Sequence, residues 1–214
     1  DQSLANQLFR FIVCVDPAQD GALRAGSVVQ RELQQLLGLL HSLTGKHLHR
    51  AEIGLGEGLE VNEIVSRINN AFADGNERGM FITMFAAKLN LKTRELTFCN
   101  AGHNPPLIKR KDGKFEYFEK SKTLVLAAME GFQYKSKTMQ LNQGDTLYLY
   151  TDGVTEATNI EDELFGDKRL LKCLDSYHDE RTASQVALLK KDIDDFVGNR
   201  EQFDDITIMA MRIL

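Results

Sequence analysis

The sequence predicts an α+β fold in which helices cover mainly antiparallel sheets. Three observations predict it. Apolar residues recur at helical spacing in two stretches before residue 75 and again after residue 180. Between those stretches lie short β-branched and aromatic runs, separated by turn-forming Asn, Asp and Gly. No internal repeat or low-complexity tract breaks this order.

The first run, Phe11 to Val15, has the composition of a buried strand and stops at Asp16-Pro17, where proline ends the ladder. From about Ser27 to Leu43, Val29, Leu33, Leu36, Leu37, Leu40 and Leu43 form the stripe of an amphipathic helix. That stripe reads as core. Thr44 to Gly58 is glycine-rich and reads as a loop, with His47 and His49 solvated on it. Val61, Ile64, Val65, Ile68 and Phe72 mark a second helix, which ends near Asp74-Gly75-Asn76.

The period then changes to that of strands. Met80 to Leu89 and Glu95 to Asn100 make a hairpin, and Pro106 to Lys109 with Phe115 to Phe118 make another around Asp112-Gly113. Tyr134 to Leu141 and Thr146 to Tyr150 flank Asn142 to Asp145 and read as a third. Thr182-x-x-Gln185 has the form of a capping box opening a helix with Val186, Leu189, Ile193 and Phe196 inward. Asp204 precedes a final strand, Ile206 to Ile213.

Bulk properties bound the function. A chain of 214 residues, 43% apolar and 27% charged, suits one globular domain that buries its core without staples. A net charge of −5 speaks against a sequence-independent grip on nucleic acid. Cys14, Cys99 and Cys173 form no C-x-x-C pair and fit reduced thiols of a cytoplasmic protein. The longest apolar runs, such as Leu124 to Met129, are far short of a membrane span, and the N-terminus has no signal-peptide pattern.

Chemistry concentrates at strand ends. Asp16 follows a strand, Asp152 follows a strand, and Asp204 precedes one. Gly153 lets the backbone turn sharply and approach a ligand, and Glu156 lies one helical turn beyond Asp152. Carboxylates gathered without a cation repel one another, whereas a hard divalent ion removes that cost and activates water. Taken singly, an Asp-Gly after a strand is usually a turn, and Asp-Asp before one is usually a cap.

The motifs in combination are more specific. Phe81-Ile82-Thr83-Met84-Phe85, Leu96 to Leu107 with Ala101-Gly102-His103-Asn104-Pro105-Pro106, Leu149 to Ala157 with Thr151-Asp152-Gly153, Glu163-Leu164-Phe165-Gly166 and Asp204-Asp205-Ile206-Thr207 occur in that order. Together they resemble the bacterial metal-dependent protein serine/threonine phosphatases of the sporulation and sigma-factor-regulator (SpoIIE/RsbU-like) branch, related to type 2C phosphatases. The resemblance runs from about Glu60 to Leu214. It implies an α-β-β-α sandwich holding two manganese or magnesium ions, with an activated water attacking phosphoserine or phosphothreonine and no phosphoenzyme intermediate. It further implies a phosphorylated regulatory protein as substrate, an anti-sigma-factor antagonist by analogy. A homodimer or an attached sensor domain is compatible with it.

By the same resemblance Asp152 and Asp204 are ligands of one ion, and Glu156 lies close enough to join a third, weaker one. Asp205 is the lesser candidate of the doublet, and a one-residue shift would exchange it with Asp204. The bridging aspartate falls on Asp16, with Pro17 and Gly153 in the metal shell and Asp20 as a rival to Asp16. His103 is implied to be a structural residue at a tight turn.

The N-terminal part, residues 1 to 59, departs from the pattern. Gln19 and Asp20 stand where the family has glycine and lysine, although Gly21 keeps the last glycine's place. An upstream acidic motif is absent or reduced to Asp1, which leaves open whether the first strand of the sandwich is present. The Pro-Leu-Gly turn usual in the family is missing between Lys122 and Met129. The expectation is one phosphatase-like domain over residues 1 to 214, cut from a longer protein. Two readings follow: an active metal-dependent phosphatase, or a degenerate phosphatase domain serving as a partner-binding module.

Overall fold

The computed structural model describes residues 7–15 (as backbone), 59–77, 79–120, 123–178, 181–201 and 204–214. The helix expected over 27–43, the loop over 44–58 with its histidines, and Asp16, Pro17 and Asp20 lie outside them. The described elements fall into two units, residues 1–103 with 122–141 and residues 104–121 with 142–214.

The first unit holds a four-stranded sheet in the order β1-β2-β3-β6, with β6 spanning Lys137–Gln140. Strand β1 (Gln7–Val15) runs parallel to β2 (Phe81–Leu89), and β2 pairs antiparallel with β3 (Glu95–Ala101). The parallel pair departs from an otherwise antiparallel design. A parallel neighbour needs a long crossover, and the chain supplies one between Val15 and Phe81 that includes helix α1 (Val61–Ala73).

Helix α1 starts where Glu63 accepts the N–H of Glu60 at 3.1 Å and stops before Gly75, whose φ is +77°. Its stripe of Val61, Val65, Ile68 and Phe72 buries against Ile82 and Met84, which alternate onto one face of β2. Each such side chain contributes about 1.5–3 kcal/mol on leaving water. Asn69 is also fully buried on this helix. Its carboxamide accepts the Ala127 N–H (3.0 Å) and the Tyr134 hydroxyl (3.3 Å) and donates to the Met129 carbonyl (2.8 Å). These bonds hold Ala127 at a φ of +68°, in the segment that lacks the expected Pro-Leu-Gly.

The second unit holds the sheet β5-β4-β7-β8. Strands β4 (Leu107–Lys109) and β5 (Phe115–Tyr117) form the expected hairpin, with Leu107 opposite Tyr117. Strand β7 (Thr146–Tyr150) lies between β4 and β8 (Ile208–Arg212) and is buried along its length. Tyr148 and Tyr150 pack with Val154, Leu170, Leu189 and Ile193 from helices α2 (Asp152–Thr155), α3 (Gly166–Ser176) and α4 (Thr182–Val197).

Three expectations need correcting. Asn142 to Asp145 joins no hairpin: β6 (Lys137–Gln140) pairs with β3, whereas β7 pairs with β4 and β8. The turn binds elsewhere, because Asp145 accepts the Asn142 N–H (2.8 Å) and pairs with Arg110 (2.5 Å), while Gly144 donates to the Ile213 carbonyl (2.8 Å). Helix α4 is capped by the Arg181 backbone, and Thr182 already lies in its first turn, so no Thr182 capping box forms. Strand β8 begins two residues later than expected, because the Thr207 N–H goes to the Thr151 hydroxyl rather than to the ladder.

Candidate active site

The second unit brings together the two strongest acidic motifs. At the end of β7 the chain enters the single turn α2, with Asp152 as its first residue. Thr151 fixes what faces that turn. Its N–H donates to the Thr207 carbonyl (3.0 Å), its hydroxyl donates to the Asp205 carbonyl (2.8 Å), and the same oxygen accepts the Thr207 N–H (2.9 Å). The segment Asp204–Thr207 is thereby sewn to the end of β7. Sequence reading missed Thr151, although its signal was present: a hydroxyl residue directly before Asp152 and another two after Asp205.

Gly153 fills the closest approach. A Cβ at this position would stand 2.5 Å from the Asp205 carbonyl oxygen and 3.3 Å from that of Asp204, so no other residue fits without moving backbone. The glycine is required here by contact, since its φ is ordinary.

The electrostatics follow from this packing. Asp152 is buried, Asp204 half-buried, and Asp205 and Glu156 exposed. Burial pushes the Asp152 carboxyl up to about 7, helped by the charges of Asp204 and Glu156 and by a hydrogen bond with Asp204. The Gly153 N–H works the other way, donating to the carboxyl. Glu156 closes the helical turn, its N–H donating to the Asp152 carbonyl at 2.8 Å. Asp204 takes the Asp205 N–H at 2.7 Å, which turns its carboxylate back over the loop while Asp205 faces solvent.

Asp152, Gly153, Asp204 and, at the edge, Glu156 are thus collected in one place. Strand β1 ends at Val15, and the neighbouring Asp16 and Pro17 lie outside the described residues. Among the described residues no three His, Cys, Asp or Glu side chains are grouped to hold a metal ion. The two that meet nevertheless suit a hard cation. They are oxygen donors, and their mutual repulsion in a buried place is the cost a divalent ion removes.

His103 belongs to the other unit and is built into a turn. Its N–H donates to Asn100 Oδ1 (2.7 Å), and Asn100 Nδ2 donates to its carbonyl (3.1 Å). The preceding Gly102 has a φ of +74° and abuts Val125. The burial and the bonding match a structural role. Cys99, also in that unit, is buried with its thiol pushed up to about 12, which makes it unreactive. No helix among the described residues is long and apolar enough to cross a membrane.

Comparison with known proteins adds an independent line. The family model of stage II sporulation protein E (SpoIIE) matches residues 32–214, beginning well before the motifs at Glu60. The phosphoserine phosphatase RsbU of Bacillus subtilis is 30% identical over 159 residues, covering 72% of this chain and 46% of RsbU. The chain therefore spans under half the length of that relative. Among solved structures, the PP2C domain of SiaA from Pseudomonas aeruginosa superposes with a TM-score of 0.65 at 19% identity, covering 86% of this chain and 69% of that one. A PP2C phosphatase domain of SpoIIE from Bacillus subtilis gives 0.64 at 19% identity, covering 91% and 52%. These likenesses show the fold, a PP2C-type domain of helices and mainly antiparallel sheets. With its acidic strand ends gathered at Gly153 and a family match over residues 32–214, this chain belongs to the SpoIIE family.

Proposed function

We propose that this chain is a metal-dependent protein phosphatase that removes phosphate from serine or threonine of a regulatory protein. The observation that carries the reading is the meeting of Asp152 and Asp204 across Gly153, which holds acid against acid at an energetic cost. Structure of that kind is retained for a cation, and a partner-binding module would not need it. The name of RsbU, a phosphoserine phosphatase, supports the same reaction class.

In this reading Asp152 and Asp204 would hold one ion and Asp16 would help to hold both, with Pro17 and Gly153 beside them. Glu156 stands at the margin and would serve a third, weaker ion, while Asp205 is the lesser ligand candidate of the doublet. Two manganese or magnesium ions supply charge neutralisation and an activated water. The chain's own residues prepare the place. Thr151 locks the Asp204 loop, Gly153 permits the contact, and burial keeps the dielectric low around Asp152 so that its charge acts strongly. By family resemblance the substrate is an anti-sigma-factor antagonist, met in the cytoplasm.

The test is manganese-dependent hydrolysis of a phosphoserine peptide. Turnover is expected with the parent chain, and Asp152→Asn should lower kcat/KM by more than about a hundredfold, in line with several kcal/mol of electrostatic stabilisation. A folded parent with no turnover at millimolar manganese contradicts the proposal.

A further inference from the structure

We propose that the loop Thr158–Leu164 is a preformed docking element for the phosphoprotein substrate, reading a basic and an apolar residue beside the phosphoserine. The inference rests on the phosphatase reading above and adds how the substrate is chosen.

Two large apolar side chains stand out on this loop. Ile160 is 72% exposed and Leu164 is 57% exposed. Exposed apolar groups on a slack loop would fold inward or cost nothing, but this loop is rigidly built. The buried Asn159 is its hub: its side-chain oxygen accepts the N–H of Glu161 (3.1 Å) and of Glu163 (2.8 Å), and its amide donates to the Glu163 carboxylate (3.1 Å). Arg200 braces the outer side, donating to the Asn159 carbonyl (2.7 Å) and pairing with Asp162 (2.5 Å). Asp162 sits at a φ of +63°, the left-handed turn conformation that aspartate tolerates better than most residues. The base is closed by the Phe165 N–H on the Ala157 carbonyl (2.7 Å) and by a bridge between Thr158 and Leu164.

The position adds meaning. Ala157, the near foot of the loop, directly follows Glu156, whose N–H is bonded to the Asp152 carbonyl. The loop therefore rises from the rim of the acidic site within the same unit. Its charges are acidic: Glu161, Asp162 and Glu163 lie between the two apolar residues, with Asp162 paired to Arg200 and Glu161 exposed. Apolar anchors on a rigid base lose little entropy on binding, and an acidic surround selects a basic partner and repels an acidic one. The occupant that fits is the segment flanking the phosphorylated residue, with lysine or arginine and an aliphatic side chain.

Two fluorescent phosphoserine peptides test this, one flanked by Leu and Lys and the other by Ala and Glu, with p-nitrophenyl phosphate as a substrate too small to reach the loop. The Leu/Lys peptide should bind at least about tenfold tighter by fluorescence polarisation, a readout that needs no turnover. Ile160→Ser/Leu164→Ser should abolish the preference while p-nitrophenyl phosphate turnover stays unchanged, and Glu161→Lys should weaken it separately. Equal binding of the two peptides overturns the proposal, as does a double variant that keeps the preference. A parent dimer that the double variant converts to monomer, with peptide binding unaltered, assigns the loop to self-association and overturns it as well. Absence of p-nitrophenyl phosphate turnover in the parent would strike the phosphatase reading alone, because the binding comparison stands apart from it.

Discussion

Gly153 carries the tightest constraint in the site, and it does so through contact. A methyl group there meets the Asp205 carbonyl at 2.5 Å, so Gly153→Ala must push the Asp204 loop away from α2. Overpacking of this kind costs about 1–3 kcal/mol, and thermal unfolding should fall by several degrees. Manganese binding should weaken further than stability does, since the displaced loop carries Asp204. At the same scale Asp152 sets a pH signature. Its carboxyl rises from an ordinary 3.8 to about 7 on folding, so the folded chain holds this proton more tightly than the unfolded one. Stability from this group is therefore full below about 4 and lost as pH climbs toward 7. With EDTA present, the melting temperature should decline between pH 5 and 8, and Asp152→Asn should flatten that decline. A parent profile that rises over this range, or a variant with the same slope, contradicts the origin assigned here.

Among the elements, helix α1 illustrates how a single polar residue orders a loop far along the chain. Asn69 satisfies the Ala127 N–H, the Tyr134 hydroxyl and the Met129 carbonyl. Asn69→Ala would take away the partner of the Ala127 N–H and of the Met129 carbonyl, while the Tyr134 hydroxyl keeps its bond to the Val125 carbonyl (3.1 Å), and a loss of roughly 1–3 kcal/mol is expected in chemical denaturation. The helices and strands themselves were readable from periodicity: Val61 to Phe72 at helical spacing, and the two hairpins around Asn90 to Arg94 and Asp112-Gly113. Pairing between elements was less readable. Asn142 to Asp145 has hairpin composition, yet its bonds to Arg110 and Ile213 send the chain from one sheet to the other. No local signal marks that choice, because the partners lie far away in sequence. Thr182 fails as a cap for a related reason, since the Arg181 backbone already opens the helix.

At the scale of the whole molecule, the structure gives a geometry to those residues of the proposed centre that lie among the described ones. Asp152, Asp204 and Glu156 were singled out by the resemblance that the ordered motifs carry, since an Asp-Gly or Asp-Asp at a strand end is by itself usually a turn or a cap. The resemblance ranks Asp204 above Asp205, and in three dimensions the Asp205 carbonyl accepts the Thr151 hydroxyl while the Asp204 carboxylate bonds with that of Asp152. In the proposed centre the remaining half rests on Asp16, which follows Val15 in the sequence. We further expect residues 1 to 214 to behave as one phosphatase domain, so calorimetry should give a single cooperative transition, and two separated transitions would contradict this.

Titration calorimetry with manganese at pH 7.5 tests the central claim most directly, comparing the parent chain with Asp152→Asn and Asp16→Asn. The account predicts two ions bound per parent chain, with Asp152→Asn losing at least one and Asp16→Asn weakening both. An Asp16→Asn variant that binds manganese as the parent does would contradict it.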